Sequence, residues 1–149
     1  MYKKIFGASA LLIGIGLGAG AAAATASPTS KTFVVKATGA GVAGGMGTKT
    51  AGYAKGTFAV NSVTDTICYR ITDHGLGVVQ AAHIHAGKKG IDGGVVVTLN
   101  VKSFNAMSMS PTCVKVTNAV AKSILKFPTL YYFNVHTAAF PNGAVRAQL

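Results

Sequence analysis

Acidic side chains are almost missing from this chain. Its 149 residues include 14 lysines and arginines but only 3 acidic residues, which are Asp65, Asp73 and Asp92. Catalysis by paired carboxylates needs two acids in one cleft, so this composition argues against hydrolases of that type. The chain also lacks a G-x-S-x-G nucleophile motif, a phosphate-binding loop and a dinucleotide fingerprint. The sequence therefore gives little support to the common enzyme classes.

The excess of positive charge is large but thinly spread. The formal net charge is +11, so long-range attraction to anionic polymers or membrane surfaces is expected. No basic run and no basic patch interleaved with aromatic residues is present, and proteins that bind nucleic acids specifically carry such features. The charge therefore favours solubility and association with anionic surfaces over specific nucleic-acid binding.

Long apolar runs are confined to the N-terminus. Met1-Tyr2-Lys3-Lys4 is followed by an apolar stretch from Ile5 to about Ala24, and Ala24-Thr25-Ala26 is a small-x-small cleavage pattern. This predicts a secretory signal peptide over residues 1–26; an uncleaved membrane anchor is the alternative. Cleavage would leave one domain, residues 27–149, without a membrane span, in the periplasm or outside the cell.

Only two cysteines are present, Cys68 and Cys113. An even number of cysteines in an exported chain predicts a disulfide bond, and two buried free thiols are the alternative. A bridge between them would leave no cysteine nucleophile.

Alternating apolar residues and turns every 8–12 residues predict an all-β fold. We expect a Greek-key β-sandwich or a flattened barrel of about seven or eight antiparallel strands with one short helix. The predicted helix is 119–126, capped by Thr117 or Asn118 and ended by Pro128, and 39–52 is a glycine-rich loop. The predicted strands are 31–38, 53–60, 66–72, 78–86, 95–101, 113–116, 131–137 and 144–149.

Two of these strands carry histidines on one face. Residues two apart in a strand point to the same side, so His83 and His85 project together, and His136 on another strand would complete a group of three. Imidazole is the commonest metal ligand, and three such nitrogens suit copper or zinc. Copper is favoured because the compartment is extracytoplasmic. The alternative is that these histidines are structural and hydrogen-bond to the backbone.

Other side chains are weaker candidates for the same site. His74, in a turn, is a further candidate ligand, and the thioethers of Met107 and Met109 would suit Cu(I) or else fill apolar space. Tyr132 and Asn134 share a strand face with His136, and Asn134 is a candidate to orient an imidazole.

Four segments of the chain share a pattern with a known family: CYRI at 68–71, AAHIHAG at 81–87, GVVV at 94–97 and YYFNVHTAAFPNGAVRAQL at 131–149. Together they resemble the CHRD domain, the module repeated in chordin and found singly in many bacterial exported proteins. The resemblance covers roughly residues 31–149 and implies an extracellular all-β domain of unsettled biochemical activity. Ala147 stands where the family commonly has glycine.

The His-x-His strand is also similar to the copper-ligand strand of Cu/Zn superoxide dismutase. That similarity implies His83, His85 and His136 as ligands, but the bridging histidine has no match and Asp92 is the one acid placed to serve as the zinc-site aspartate. Dismutase turnover is therefore a minor expectation. The favoured function is a metal-binding exported module; the alternative is a non-catalytic module that binds a protein or an anionic envelope polymer. Arg146 is a candidate structural partner of Asp65 or Asp73, and the sequence alone does not place the pair.

Overall fold

The computed structural model describes residues 27–45, 50, 52–105 and 110–149. The predicted signal peptide, residues 1–26, and the two predicted thioether donors, Met107 and Met109, lie outside the described residues. Within this part of the chain, no helix has both the length and the apolar character needed to cross a membrane.

In the described ranges the regular structure is eight strands and one α-helix, as the all-β prediction expected. The helix, α1, is Asn118–Lys126, and short 3₁₀ turns occur at Gly39–Gly41, Ala43–Gly45, Val101–Ser103 and Pro128–Leu130. The strands are β1 Ser30–Thr38, β2 Tyr53–Asn61, β3 Thr66–His74, β4 Val79–Ala86, β5 Val95–Thr98, β6 Thr112–Lys115, β7 Tyr131–Thr137 and β8 Val145–Gln148.

All eight strands belong to one antiparallel sheet, which curls into a half-barrel. The order across the sheet is β5-β4-β7-β8-β1-β2-β3-β6, so β5 and β6 are the edges. Of the two predicted architectures, this single curled sheet corresponds to the barrel-like one.

The concave side of the sheet holds the hydrophobic core. In β2, Ala54, Gly56, Phe58 and Val60 are buried while the residues between them are exposed, as strand alternation requires. Helix α1 adds Ala121, Ile124 and Leu125 to the same core. Each fully buried large apolar side chain contributes roughly 1.5–3 kcal/mol. Because the apolar side chains face the concave side, the convex side is the face left for polar side chains.

Side-chain capping ends one predicted strand early and confirms one of the two predicted helix caps. The strand predicted over 95–101 ends at Thr98, because the Asn100 side chain accepts a hydrogen bond from the Lys102 N–H at 3.0 Å and starts a 3₁₀ turn. Thr117 is the N-cap of α1, since its hydroxyl accepts from the Val120 N–H at 3.2 Å. A capping side chain of this kind satisfies a backbone donor that the helix leaves open.

The predicted disulfide is present between Cys68 in β3 and Cys113 in β6. The two residues are direct partners across the strand pair. The bond therefore ties the four-residue edge strand β6 covalently to the longer strand beside it.

Candidate metal centre

The pairing of β4 with β7 brings the three predicted histidines onto one patch of the convex face. His83 lies opposite Asn134, and Ala81 lies opposite His136. Ile84 and Phe133, which are also paired, are fully buried on the core side. Alternation along both strands therefore places the imidazoles together, on the side away from the core.

The three imidazoles converge as the sequence predicted. One ligand nitrogen from each of His83, His85 and His136 lies within 4.8 Å of the others. The Nδ1 of His83 and the Nε2 of His136 are hydrogen-bonded to each other at 3.3 Å. Among the described residues, this is the one group of three potential ligands close enough to hold a metal ion.

Two backbone carbonyls set the tautomers of the cluster. The Nδ1 of His85 is 2.9 Å from the Gly93 carbonyl oxygen, and the Nδ1 of His136 is 2.8 Å from that of Pro141. A carbonyl only accepts hydrogen bonds, so each Nδ1 carries the proton and each Nε2 presents a lone pair. The Nε2 of His85 is buried without a hydrogen-bond partner. Both rings are therefore held in the form that binds a metal through Nε2.

The environment also favours the neutral form of two of the rings. Burial, followed by the nearby His136 and His85, lowers the pKa of His83. Burial is likewise the main cause that lowers the pKa of His85, with smaller lowering from His136 and Arg146, while the Gly93 carbonyl and Asp92 oppose it. Neutral imidazole is the form that coordinates metals, so these shifts favour the form able to act as a ligand.

Two stacked side chains, Tyr132 and Arg146, support His85 from one side. The Tyr132 ring is nearly parallel to the His85 ring, with an angle of 7° and centroids 4.8 Å apart. The guanidinium carbon of Arg146 lies 3.4 Å from the centroid of the Tyr132 ring. Tyr132 is 1% exposed and Arg146 is 3% exposed, so the stack is a fixed, solvent-excluded floor beneath the cluster.

Arg146 also binds the loop that supplies the His85 partner. Its guanidinium donates to the carbonyls of Lys88 and Ile91 at 2.7 and 3.0 Å and to the Asp92 carboxylate at 3.1 Å. In the same loop, the Gly93 N–H donates to the Tyr132 hydroxyl at 3.1 Å. Residues 88–93 are thus bound to the sheet on the side of His85.

These contacts correct two expectations about charged residues. The structural partner of Arg146 is Asp92, not Asp65 or Asp73, because those two aspartates accept hydrogen bonds from asparagine side chains elsewhere. Asp92 is therefore paired with Arg146 and does not take the place of the zinc-site aspartate of a dismutase. Sequence reasoning missed the role of Arg146, because this residue alternates with the core residues Val145 and Ala147 and therefore reads as an ordinary exposed strand position.

The remaining predicted residues take different places. Asn134 lies opposite His83 and is 4% exposed, but its Oδ1 has no hydrogen-bond partner, so no bond from that oxygen orients an imidazole. Tyr132 supports His85 by stacking, as described above. His74 ends β3, with its ring centroid 5.4 Å from that of Tyr53, and it does not belong to the three-histidine group.

Comparison with protein families now gives the class of this protein. The family model of the CHRD domain matches residues 33–149. The chain therefore belongs to the CHRD domain family, whose members are extracellular modules. Comparison with curated proteins and with solved structures found no match.

Proposed function

We propose that this protein is an exported CHRD module, periplasmic or secreted, that binds one transition-metal ion through His83, His85 and His136. The observation that carries this function is the convergence of three imidazole nitrogens within 4.8 Å. Two of these rings have tautomers fixed by backbone carbonyls. Metal-binding histidines usually donate a hydrogen bond from their other ring nitrogen to a carbonyl or a carboxylate, as these two rings do.

The spacing of the nitrogens is close to what an ion requires. Two nitrogens each about 2.0–2.1 Å from one ion are roughly 3.3 Å apart at the tetrahedral angle, which is the separation of His83 Nδ1 and His136 Nε2. A bound ion would draw the three nitrogens closer together than the wider limit of 4.8 Å within the group. The ion would supply Lewis acidity or, for copper, electron transfer, and the three residues would leave a further position open.

Copper is the favoured metal and zinc the alternative. The donor set is three neutral imidazoles without a carboxylate, and imidazole sites bind Cu(II) more tightly than Zn(II) in the general affinity order. The predicted export would also place the protein where copper is handled outside the cytoplasm.

The experiment is a calorimetric titration of the purified, metal-free protein with Cu(II) and with Zn(II). We expect one ion per chain, tighter binding of Cu(II), and loss of binding in the variant His83→Ala, His85→Ala. The matched control is His74→Ala, which removes an imidazole from the same sheet outside the cluster. Absence of stoichiometric binding by the wild type, or equal weakening in the control, would overturn the proposal.

A further inference from the structure

Seven large apolar side chains are exposed among the described residues, and four of them lie at one end of the sheet, where β4 ends and β5 and β7 begin. A hydrogen bond from the Gly87 N–H to the Leu130 carbonyl at 2.7 Å joins the loop 87–94 to the segment before β7. The Gln148 side chain also donates to the carbonyls of Gly87 and Thr129, at 2.6 and 2.9 Å. The four side chains, between 37% and 61% exposed, are Ile91, Val95, Phe127 and Leu130.

Lysines are interspersed with these apolar side chains. Lys88 and Lys89 lie in the same loop as Ile91, and both are exposed. Lys126, also exposed, ends α1 directly before Phe127. Its ammonium group lies 5.0 Å from the centroid of the Phe127 ring, so positive charge and apolar surface are adjacent. We call this surface the lysine-apolar patch: Lys88, Lys89, Ile91, Val95, Lys126, Phe127 and Leu130.

The acid in this loop does not cancel the charge of the lysines. The Asp92 carboxylate is paired with the buried guanidinium of Arg146 at 3.1 Å. The same guanidinium donates to the carbonyls of Lys88 and Ile91, at 2.7 and 3.0 Å, and so fixes the loop on the sheet. A surface that is already ordered loses little conformational freedom when it binds a partner. The patch is therefore preformed, basic and apolar at once.

We propose that the lysine-apolar patch docks the exported protein onto the surface of an anionic lipid bilayer. The four apolar side chains enter the boundary between headgroups and acyl chains, and the three ammonium groups contact lipid phosphates. Binding at this boundary gains from the apolar area that leaves water and from attraction to anionic lipid. Each lysine held near such a surface strengthens binding by roughly fivefold.

The mixture of side chains disfavours two other kinds of partner. Protein interfaces are depleted of lysine and enriched in aromatic residues, whereas here three lysines accompany three aliphatic side chains and one phenylalanine. An acidic polysaccharide would be held by charge, but it offers no apolar phase to cover Ile91 and Leu130. A bilayer surface supplies both the anionic groups and the apolar phase.

The test is co-sedimentation of the exported protein with vesicles of phosphatidylglycerol and phosphatidylcholine in equal parts, compared with vesicles of phosphatidylcholine alone. Mass spectrometry first checks that residues 1–26 have been removed, because the apolar N-terminal stretch would bind lipid by itself. We expect at least about tenfold tighter binding to the anionic vesicles, and this binding should weaken as the salt concentration rises.

The apolar contribution is tested by Ile91→Ser, Phe127→Ser. This variant should lose at least about fivefold in affinity for the anionic vesicles, since it has less apolar area to bury. The matched control is Val34→Ser, Val63→Ser, at two valines that are exposed elsewhere on the protein. The control should bind the vesicles like the wild type.

The basic contribution is tested by Lys88→Gln, Lys89→Gln, Lys126→Gln, which should lose at least about tenfold in affinity. The control removes the same charge from exposed positions on β1, on β2 and in the turn Val101–Ser103. Because salt screens charges that are farther from the bilayer, it should lose less than about threefold. The control is Lys36→Gln, Lys55→Gln, Lys102→Gln.

Four outcomes overturn the proposal. The first is no binding of the anionic vesicles by the wild type, and the second is equal losses in the patch variants and their controls. The third is full binding by the serine variant, which would leave charge as the sole attraction. The fourth is tighter binding of dextran sulfate than of vesicles, lost in the lysine variant. Circular dichroism checks that each variant folds, and Lys88→Gln, Lys89→Gln repeats the test if the triple variant does not fold. None of these results depends on metal binding.

Discussion

The guanidinium of Arg146 lies 3.4 Å from the ring of Tyr132 and binds the loop that supplies the hydrogen-bond acceptor of His85. This one side chain therefore acts on the proposed ligand in two ways, through a stacked ring and through a backbone carbonyl.

Arg146→Lys is expected to weaken metal binding by about tenfold. Lysine keeps the charge but loses the planar fork that reaches Lys88, Ile91 and Asp92 together, and loss of such outer contacts typically costs about 10–100-fold in metal affinity. Calorimetry with Cu(II) measures the change, and the copper EPR spectrum reports whether nitrogen coordination is altered. Arg70→Lys, at an exposed arginine, is the control and should bind copper like the wild type. Unchanged affinity and spectrum in Arg146→Lys would show that the stack does not position His85.

Two neighbouring glycines provide a sharper comparison. A Cβ on Gly93 would lie 1.5 Å from the Ala86 carbonyl oxygen, whereas a Cβ on Gly94 would meet nothing within 4 Å. Gly93→Ala must therefore shift the backbone whose carbonyl fixes the His85 tautomer. We expect this variant to lose about 1–3 kcal/mol of unfolding free energy and to bind copper more weakly, as measured by urea unfolding and calorimetry. Gly94→Ala should match the wild type in both assays, and parallel losses in the two variants would contradict the explanation.

The stability of the metal-free protein should decrease as the pH falls below about 6.5. Burial, together with neighbouring charges, lowers the pKa of His83 and of His85 in the folded state. The unfolded chain therefore takes up protons that the folded chain binds less readily, so acidification favours unfolding until the pH lies below the folded pKa values. Urea unfolding at about pH 7.5 and about pH 5 measures the difference.

The variant His83→Gln, His85→Gln should show a smaller decrease over the same pH interval, because it has lost both shifted groups. His74→Gln retains them and should behave like the wild type. An identical pH dependence in all three proteins would mean that other groups are responsible.

Removing the disulfide should destabilise the domain strongly. The bond joins residues 45 positions apart, and the chain-entropy model assigns about 4 kcal/mol to a loop of this length. Cys68→Ala, Cys113→Ala is expected to lower the unfolding free energy by about 3–4 kcal/mol in urea. Reductant should destabilise the wild type and leave the double variant unaffected. A loss below about 1 kcal/mol would show that β6 is held by its other contacts.

Strand alternation was enough to predict much of this site from the sequence. It placed His83 and His85 on one face because that relation is local, with a period of two residues. The position of His136 required a guess about which strands are neighbours, and the β4–β7 pairing confirms it. The contact between Arg146 and Asp92 spans 54 positions and depends on how a loop folds over the sheet, which no local pattern encodes.

The fold was likewise predictable where the pattern is local and unpredictable where tertiary contacts decide. The eight strands and the helix follow from residue patterns, but the end of β5 depends on the side chain of Asn100. That cap competes with the strand pairing that the β-branched run from Val95 would otherwise continue. The order of strands across the sheet is likewise a tertiary property, since β7 lies between β4 and β8.

The edge strands of the half-barrel affect the tendency of the protein to form fibrils at high concentration. The two outermost strands are only four residues long. β6 begins at Thr112, opposite Tyr69. Beyond that point, Asn105 pairs with β3: its N–H donates to the Ile71 carbonyl, and its side chain accepts from the Asp73 N–H. Among the described residues, such short edge strands give another molecule only a short template to extend, so we expect the module to resist fibril formation at high concentration.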